Sequence, residues 1–201
     1  IAAGFKEIGE DGAKIESELK VVAEKYSMNL LGPNCLGFIS NAAPINATFG
    51  QAVEGRGSLR FISQSGAIAA SLFDWCNATG LGFSEFVTLG NKTVLNENDI
   101  LEFFLGSEVS SSLEAGKNSQ TSLNPIGLYL ESIASGAEFI KITKQLSLRQ
   151  PVFIIKPGKT EAAQSAMKSH TGAIAGADNV LDEALEEAGI IRCKTLEDFF
   201  D

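Results

Sequence analysis

Short apolar runs bounded by glycine, serine or proline recur along the chain and predict buried strands. The clearest runs cover residues 59–63, 85–89, 126–130 and 152–156, and a weaker one covers 190–192. Helical patterns lie between them, at residues 67–79, 97–105, 137–148 and 178–188. Asn96 is placed to cap the second of these helices, and Gly189 is placed to end the last. This alternation predicts an α/β fold with a parallel sheet, whose ligands bind beyond the carboxyl ends of the strands.

The first 50 residues follow a different pattern. Residues 4–26 predict one turn followed by an amphipathic helix, and Leu30-Leu31 predicts the start of a short strand that ends in residues 32–37. One strand and one helix cannot enclose a core, so we expect residues 1–50 to be the C-terminal portion of another α/β domain. Residues 51–57 are then a linker, and 58–201 form the main domain. Within it, the serine-rich residues 106–124 predict a mobile surface insertion.

The amino-acid composition excludes several classes of function. The 201 residues include 16 basic and 25 acidic ones, so the net charge is −9, which argues against non-specific binding to nucleic acid or to an anionic membrane. No apolar run approaches the roughly 20 residues that span a bilayer. Three widely spaced cysteines disfavour a metal site and a disulfide framework, and we expect a reducing, cytoplasmic location. The chain does not begin with Met, and we expect it to be a piece of a longer protein.

The chain has one histidine, His170, in the small-residue sequence Ser169-His170-Thr171-Gly172. Residues 141–170 carry six basic residues and a single acid, so the approach to this histidine is locally positive. A neutral imidazole is a good nucleophile toward phosphorus when a carboxylate holds its other ring N–H. Glu131, at the carboxyl end of the run 126–130, is the candidate for that carboxylate. A structural histidine and a solvated strand-end acid remain the alternatives.

Two strand ends carry candidate anion-binding groups. In residues 61–67 a strand leads through a small-residue turn into a helix, whose free N–H groups and dipole favour an anion, with hydroxyls added by Ser63 and Ser65. An ordinary capped turn remains the alternative. Asn91 and Lys92 follow the next strand and could bind phosphate or carboxylate, or simply form a turn. Cys35 fits a packed thiol better than a nucleophile.

These motifs form an ordered set across nearly the whole chain, at residues 3–7, 31–37, 46–49, 61–66, 90–92, 97–99, 129–131, 156–159 and 169–172. Taken together, the set resembles the α-subunit of the NDP-forming acyl-CoA synthetases, the superfamily of succinyl-CoA synthetase. The Asn91-Lys92 and Ser169-His170-Thr171-Gly172 sequences are most similar to the ADP-forming acetyl-CoA synthetase type.

The resemblance implies roles for individual residues. His170 corresponds to the histidine that is transiently phosphorylated, and Glu131 corresponds to the glutamate that hydrogen-bonds it. Asn34 and Cys35 correspond to the loop near the CoA thioester. The phosphate site implied in this way comprises Ser63, Ser65, Gly66, Ala67, Asn91, Lys92, Thr171 and Gly172.

The resemblance also implies an architecture, substrates and partners. Residues 58–201 would form a flavodoxin-like domain, preceded by the C-terminal part of a CoA-binding Rossmann-like domain. The implied substrates are CoA, phosphate and ADP or ATP with Mg, the nucleotide being bound mainly by an ATP-grasp β-subunit or fused domain. The missing part of the CoA-binding domain is a further partner, and the full enzyme is expected to be an oligomer. We do not expect complete turnover from this chain alone.

Two alternatives stay open. One is a protein-lysine acetyltransferase homologue, which would have the same array of domains but a degenerate phosphohistidine site. The other is a non-catalytic anion-binding module.

Overall fold

The computed structural model describes residues 2–51, 53, 55–114, 124–157 and 178–200. The strands are β1 (Gly37–Ser40), β2 (Ile45–Thr48), β3 (Arg56–Ser63), β4 (Phe83–Thr88), β5 (Ile126–Tyr129), β6 (Val152–Ile155) and β7 (Ile191–Arg192). The helices are α1 (Glu10–Lys25), α2 (Gly66–Thr79), α3 (Glu97–Glu114), α4 (Gly136–Ser147), α5 (Asp178–Glu187) and α6 (Leu196–Phe200), and a 3₁₀ turn at Lys6–Ile8 precedes α1.

The strands form one sheet in the order β2-β1-β4-β3-β5-β6-β7. Strands β4, β3, β5, β6 and β7 run parallel, whereas β1 is antiparallel to both β2 and β4. The predicted α/β fold with a parallel sheet is therefore confirmed, with an antiparallel pair added at one edge. The five predicted strands and four predicted helices of the main domain are all present, with bounds shifted by three residues or fewer except at the end of α3.

The antiparallel pair β1–β2 is a feature that the sequence analysis missed, because β2 is almost wholly exposed and has no apolar run. The predicted strand at Leu30-Leu31 is wrong. Gly32 and Asn34 have φ values of 92° and 55°, and this left-handed backbone turns the chain before β1 begins. Strand β1 hydrogen-bonds to β4, so residues 37–48 extend the sheet of the following domain. The domain boundaries at 50 and 58 stay predictions.

Helix α3 continues to Glu114, so the predicted irregular insertion is wrong for residues 106–114. Their serine-rich composition indicates the absence of an apolar face and not a break in the helix, because serine is only a mildly unfavourable helix residue. The predicted cap is confirmed: Asn96 Oδ1 accepts the N–H of Asn98 at 2.8 Å, and Asp99 Oδ2 accepts the N–H of Asn96 at 2.8 Å. The rest of the predicted insertion, residues 115–123, lies outside the described residues.

The sheet is covered on both faces, as its apolar strands require. One face packs mainly against α2 through an aromatic cluster in which Phe86 lies 4.6 Å from Phe73 and 5.0 Å from Phe83, measured between ring centroids. The other face packs against α3, α4 and α5 through aliphatic side chains such as Ile62 and Leu128. Phe61 and Ile62 are adjacent in β3 and serve opposite faces. Packing on both faces holds the sheet in place and thereby fixes the positions at which its strands end.

Candidate functional site

The parallel strands end side by side, and their register brings the predicted site residues to one edge. Ser63 pairs with Thr88 of β4 and with Tyr129 of β5, and Tyr129 pairs in turn with Ile155 of β6. The loops that follow these strands carry Ser65, Lys92 and Glu131. His170, Thr171 and Gly172 lie outside the described residues, as does Lys159.

The turn between β3 and α2 is held together by its own serines. The Ser63 hydroxyl is buried, donates to the Ser65 carbonyl at 2.7 Å and accepts the Ser65 N–H at 3.2 Å. Ser65 is the N-cap of α2, and its hydroxyl oxygen accepts the N–H of Ile68 at 3.4 Å. Ser63 therefore braces the turn, while Ser65 keeps a hydroxyl hydrogen that can be donated to a ligand.

The first turn of α2 suits an anion. The N–H groups of Gly66 and Ala67 belong to the helix start, where no carbonyl of the same helix can accept them. The first turn carries no acidic residue, so the positive end of the helix dipole is not neutralised by its own side chains. A Cβ at Gly66 would lie 3.7 Å from Leu36 Cγ, which is ordinary contact, so packing among the described residues does not require glycine at this position.

Glu131 follows β5 and is half-buried next to the β3–α2 turn. Its backbone N–H donates to Gln64 Oε1 at 3.1 Å, and the N–H of Ser132 donates to the same oxygen at 3.0 Å. Burial, together with the charge of Glu131, raises the pKa of the Tyr129 phenol. The Gln64 side chain thus connects the turn that starts α2 to Glu131, the residue predicted to orient the histidine.

Lys92 points into the protein. Its ammonium lies 2.9 Å from Glu97 Oε2 and donates to the Ser132 carbonyl at 2.8 Å. The Lys92 side chain is 8% exposed and the Glu97 side chain 0%, so this is a buried ion pair. Glu97 Oε1 also accepts the N–H of Ala134 at 2.5 Å. The sequence analysis predicted that Lys92 binds phosphate. In this structure its side chain contacts the loop after β5 instead.

Asn91 faces the opposite way, toward the N-terminal region. Its amide nitrogen donates to Glu16 Oε2 at 2.8 Å and to Glu7 Oε2 at 3.0 Å. Thr93 donates to the other oxygen of Glu16 at 2.5 Å, and Lys6 Nζ donates to the Asn91 carbonyl at 2.7 Å. These contacts attach α1 and the preceding turn to the loop after β4.

The carboxyls in this contact are held in the charged form. Burial by itself raises the pKa of Glu7, but hydrogen bonds from Asn91 and from the backbone outweigh it and lower the pKa to about 2. For Glu16, burial again raises the pKa, and hydrogen bonds from Thr93, Lys6 and Asn91 lower it below its ordinary value.

The predicted CoA loop lies against the loop after β4. A Cβ at Gly90, whose φ is 54°, would overlap the carbonyl oxygen of Pro33, so only glycine permits this approach. Asn34 is exposed, and its amide nitrogen donates to Asn91 Oδ1 at 3.4 Å. Cys35 is buried, with its thiol 3.8 Å from the Leu31 carbonyl, so the structure places it as a packed thiol.

Sequence reasoning missed Gln64, Glu97 and Ser132, which connect these loops. Gln64 lies within the predicted anion-binding motif, residues 61–67, and this position is the one signal in the sequence that could have identified Gln64 as a functional residue. Glu97 belongs to the motif at residues 97–99, but nothing within that motif distinguishes it from an ordinary acid in the first turn of a helix. Its pairing with Lys92 and its contact to Ala134 depend on the folded sheet.

Within the described ranges, no helix is long and apolar enough to cross a membrane. The same residues contain no group of three or more His, Cys, Asp or Glu side chains arranged to hold a metal ion.

Comparison with known proteins points to one family. Residues 56–201 match the family described as the succinyl-CoA ligase-like flavodoxin domain. The whole chain is 39% identical to a protein of Archaeoglobus fulgidus named acetate–CoA ligase (ADP-forming) I, and covers 27% of its length. It is 37% identical to the α-subunit of acetate–CoA ligase (ADP-forming) I of Pyrococcus furiosus, and covers 41% of that subunit. The chain therefore spans well under half the length of these relatives.

A solved structure gives the same result. The chain superposes in full on a dinucleotide-forming acetyl-coenzyme A synthetase 1 of Korarchaeum cryptofilum in complex with phosphate and ADP, with a TM-score of 0.85 and 38% identity. It covers 40% of that chain. The relatives are similar to the protein described here in sequence, and this neighbour is similar to it in both sequence and fold.

Proposed function

We propose that this chain, which belongs to the succinyl-CoA ligase-like flavodoxin domain family, is the phosphoryl-transfer part of an ADP-forming acyl-CoA synthetase. The complete enzyme would interconvert acyl-CoA, NDP and phosphate with a carboxylic acid, CoA and NTP. The names of the similar proteins support this activity and give no support to the acetyltransferase alternative. Since the chain covers 27% of one relative and 41% of another, complete turnover requires segments beyond it.

One observation carries the proposal: the start of α2 and Glu131 lie on adjacent strand ends and are joined through Gln64. A phosphate at the N–H groups of Gly66 and Ala67, with the Ser65 hydroxyl, would stand beside the carboxylate that orients His170. Thr171 and Gly172 complete this phosphate site in the proposal. Asn91 and Lys92 stay predicted phosphate ligands, although their donors contact Glu7, Glu16, Glu97 and Ser132 in the structure.

The chemistry follows from these positions. A phosphate oxygen attacks the thioester carbonyl, the C–S bond breaks, and CoA leaves with an acyl phosphate remaining. A ring nitrogen of neutral His170 then attacks phosphorus, and the P–O bond to the acyl group breaks to release a carboxylate. Glu131 accepts the hydrogen bond of the other ring N–H and stabilises the positive charge on the phosphorylated imidazole. The phosphoryl group passes from His170 to ADP.

The remaining substrates and partners belong to the same proposal. Relatives named as ADP-forming ligases and a neighbour complexed with phosphate and ADP support ADP and phosphate as substrates. We further propose that CoA approaches the loop of Asn34 and Cys35, and that ADP or ATP with Mg binds an ATP-grasp β-subunit or fused domain. We also propose that the complete enzyme contains the missing part of the CoA-binding domain, that it is an oligomer, and that it is located in the cytoplasm.

Labelling tests the proposal. The complete enzyme is incubated with ATP labelled at the γ-phosphate and quenched, and the label is located by mass spectrometry. We expect an acid-labile, alkali-stable label on His170 that is lost in His170→Ala and formed more slowly in Glu131→Gln. Glu102→Gln, at an exposed position on α3, is the matched control and should label normally.

Two outcomes would contradict the proposal. Label on a residue other than His170 would exclude the phosphohistidine mechanism. Phosphate binding without any label, unchanged by Ser65→Ala, would favour the non-catalytic binding module.

A further inference from the structure

We propose that three side chains hold residues 131–134 in place and thereby act as positioning residues for the Glu131 carboxylate. They are Gln64, Lys92 and Glu97, and we call them the brace. This inference rests on the proposed role of Glu131. It adds Gln64 and Glu97, which are not predicted to contact phosphate or histidine, and gives Lys92 a role through Glu131 besides its predicted contact with phosphate.

Gln64 holds the segment from the side of β3. Its Oε1 accepts two consecutive backbone N–H groups, those of Glu131 and Ser132, at 3.1 and 3.0 Å. Its Nε2 lies 3.2 Å from the Ser132 hydroxyl. The backbone of Gln64 is itself fixed, since its N–H donates to the Tyr129 carbonyl at 2.8 Å. The amide therefore spans from the α2 turn to the Glu131 loop and makes a contact at each of its polar atoms.

Lys92 and Glu97 hold the same segment from the side of β4. The Lys92 ammonium donates to the Ser132 carbonyl at 2.8 Å, and Glu97 Oε1 accepts the Ala134 N–H at 2.5 Å. The two side chains pair with each other at 2.9 Å with almost no exposure to solvent. Lys92 has a φ of 54°, a conformation that a residue with a side chain rarely adopts.

The segment depends on these contacts because it has just left the sheet. Strand β5 ends at Tyr129, and buried backbone groups beyond it must find other partners. Between residues 131 and 134, three N–H groups and one carbonyl bond to side chains of the brace. Side chains from two other loops and from the first turn of α3 therefore determine where Glu131 stands.

The charges of the brace fit a position beside an anion. Gln64 contributes an uncharged acceptor next to the helix start, so it holds the loop without repelling phosphate. The charge of Lys92 is matched by Glu97 in the same buried pair. The brace thus determines position while adding little net charge to the site.

A double-mutant cycle in the complete enzyme tests the inference. Gln64→Met keeps the length of the side chain and removes its acceptor, and the rate of His170 phosphorylation by labelled ATP is measured in a single turnover. We expect a loss on the order of 10- to 100-fold, as displacement of a catalytic group produces. In a Glu131→Gln background the same change should have less than about twofold effect, because two residues that act through one contact are not additive.

Matched variants separate the brace from general damage. Gln145→Met makes the same substitution at an exposed position on α4 and should label normally. Gln64→Glu keeps an oxygen that accepts both N–H groups but places a charge beside the phosphate, so it is compared by hydrogen exchange, in which those two N–H groups should exchange more slowly than in Gln64→Met. An equal loss of labelling in the unaltered enzyme and in the Glu131→Gln background, or no loss at all, would overturn the inference, as would equal exchange rates in the two Gln64 variants.

Hydrogen exchange keeps this test distinct from that of the proposed function. The N–H groups of Glu131 and Ser132 should exchange on the order of tenfold faster in Gln64→Met than in Gln145→Met. If the unaltered enzyme does not label His170, the proposed function fails, and the exchange rates still decide whether the brace exists. Unchanged exchange would exclude it.

Discussion

Two polar networks meet at the loop after β4, and they are built differently although their central residues are neighbours in sequence. Asn91 connects this loop to Glu7 and Glu16 through neutral donors, in a contact that is partly open to solvent. Lys92 connects it to Glu97 through a buried ion pair and to the Ser132 carbonyl through a hydrogen bond. We call these the outer network and the inner network.

The two networks have different roles: the outer one attaches the N-terminal region to the sheet, and the inner one positions the loop after β5. The outer network fastens α1 to the sheet edge, and each of its hydrogen bonds contributes about 1 kcal/mol because water can replace the partner. The inner network lies where water cannot replace the lost partner, so removal of one charge leaves the other buried and uncompensated. Consecutive residues of one motif therefore serve different parts of the molecule.

The largest expected effect comes from breaking the inner network on one side. Lys92→Met removes the cation and leaves the Glu97 carboxylate buried with 0% exposure. Loss of one partner of a buried pair costs about 3–5 kcal/mol, so protection of β4 and α3 should fall by that amount. Hydrogen-exchange mass spectrometry on the complete protein measures it segment by segment.

A double variant is the control for this prediction. Lys92→Met combined with Glu97→Gln removes both charges and keeps an oxygen for the Ala134 N–H. It should recover a large part of the lost protection. If it is as damaging as the single variant, unpaired charge is not the cause.

Breaking the outer network should have a smaller effect. Asn91→Ala removes the amide that donates to Glu7 and Glu16, at a cost of about 1–3 kcal/mol in the attachment of α1. Exchange should accelerate in α1 and leave α4 unchanged. Asn29→Ala, at an exposed position, should stay within about 0.5 kcal/mol. A loss spread equally over the sheet would show that the two networks are not separate.

The smallest effect is a dependence on pH in the outer network. The pKa of Glu7 is lowered from 4.5 to about 2, so its stabilisation is present above pH 4.5 and is lost as the pH falls toward 2. The lowered pKa of Glu16 acts in the same direction. Solvent screening keeps the Glu7 contribution below about 1 kcal/mol.

Exchange in α1 between pH 4.5 and 2 measures this dependence. Glu7→Gln should flatten it, whereas Glu102→Gln on α3 should not. An equal pH dependence in Glu7→Gln and the unaltered protein would contradict the assignment to Glu7.

The strands of the parallel sheet could be predicted because each is a short apolar run that must be buried on both faces. Strand β2 carries no such signal, since it is exposed and takes its place from pairing with β1. Leu30-Leu31 shows the converse, because an apolar pair does not form a strand where Gly32 and Asn34 turn the backbone. The local pattern of apolar residues indicates which residues are buried, whereas the pairing of strands depends on segments distant in the sequence.

The same limit applies to the candidate site. Capping of α2 by Ser65 is local and could be predicted from the sequence. The direction of Lys92 could not, because its partner carbonyl at Ser132 lies 40 residues away and the ion pair forms only in the folded loop. Sequence placed Lys92 at the correct edge of the sheet, and the folded protein decides which neighbour it contacts.

The arrangement of the sheet also has a consequence for how the protein meets other copies of itself. In the described part of the chain the sheet ends on β2, with four residues, and on β7, with two. Edge strands expose unpaired N–H and C=O groups that can template pairing with another chain, and very short ones present few of them. The longest strand, β3, lies in the middle of the sheet with partners on both sides. The apolar strands at its centre are therefore shielded from edge-to-edge aggregation.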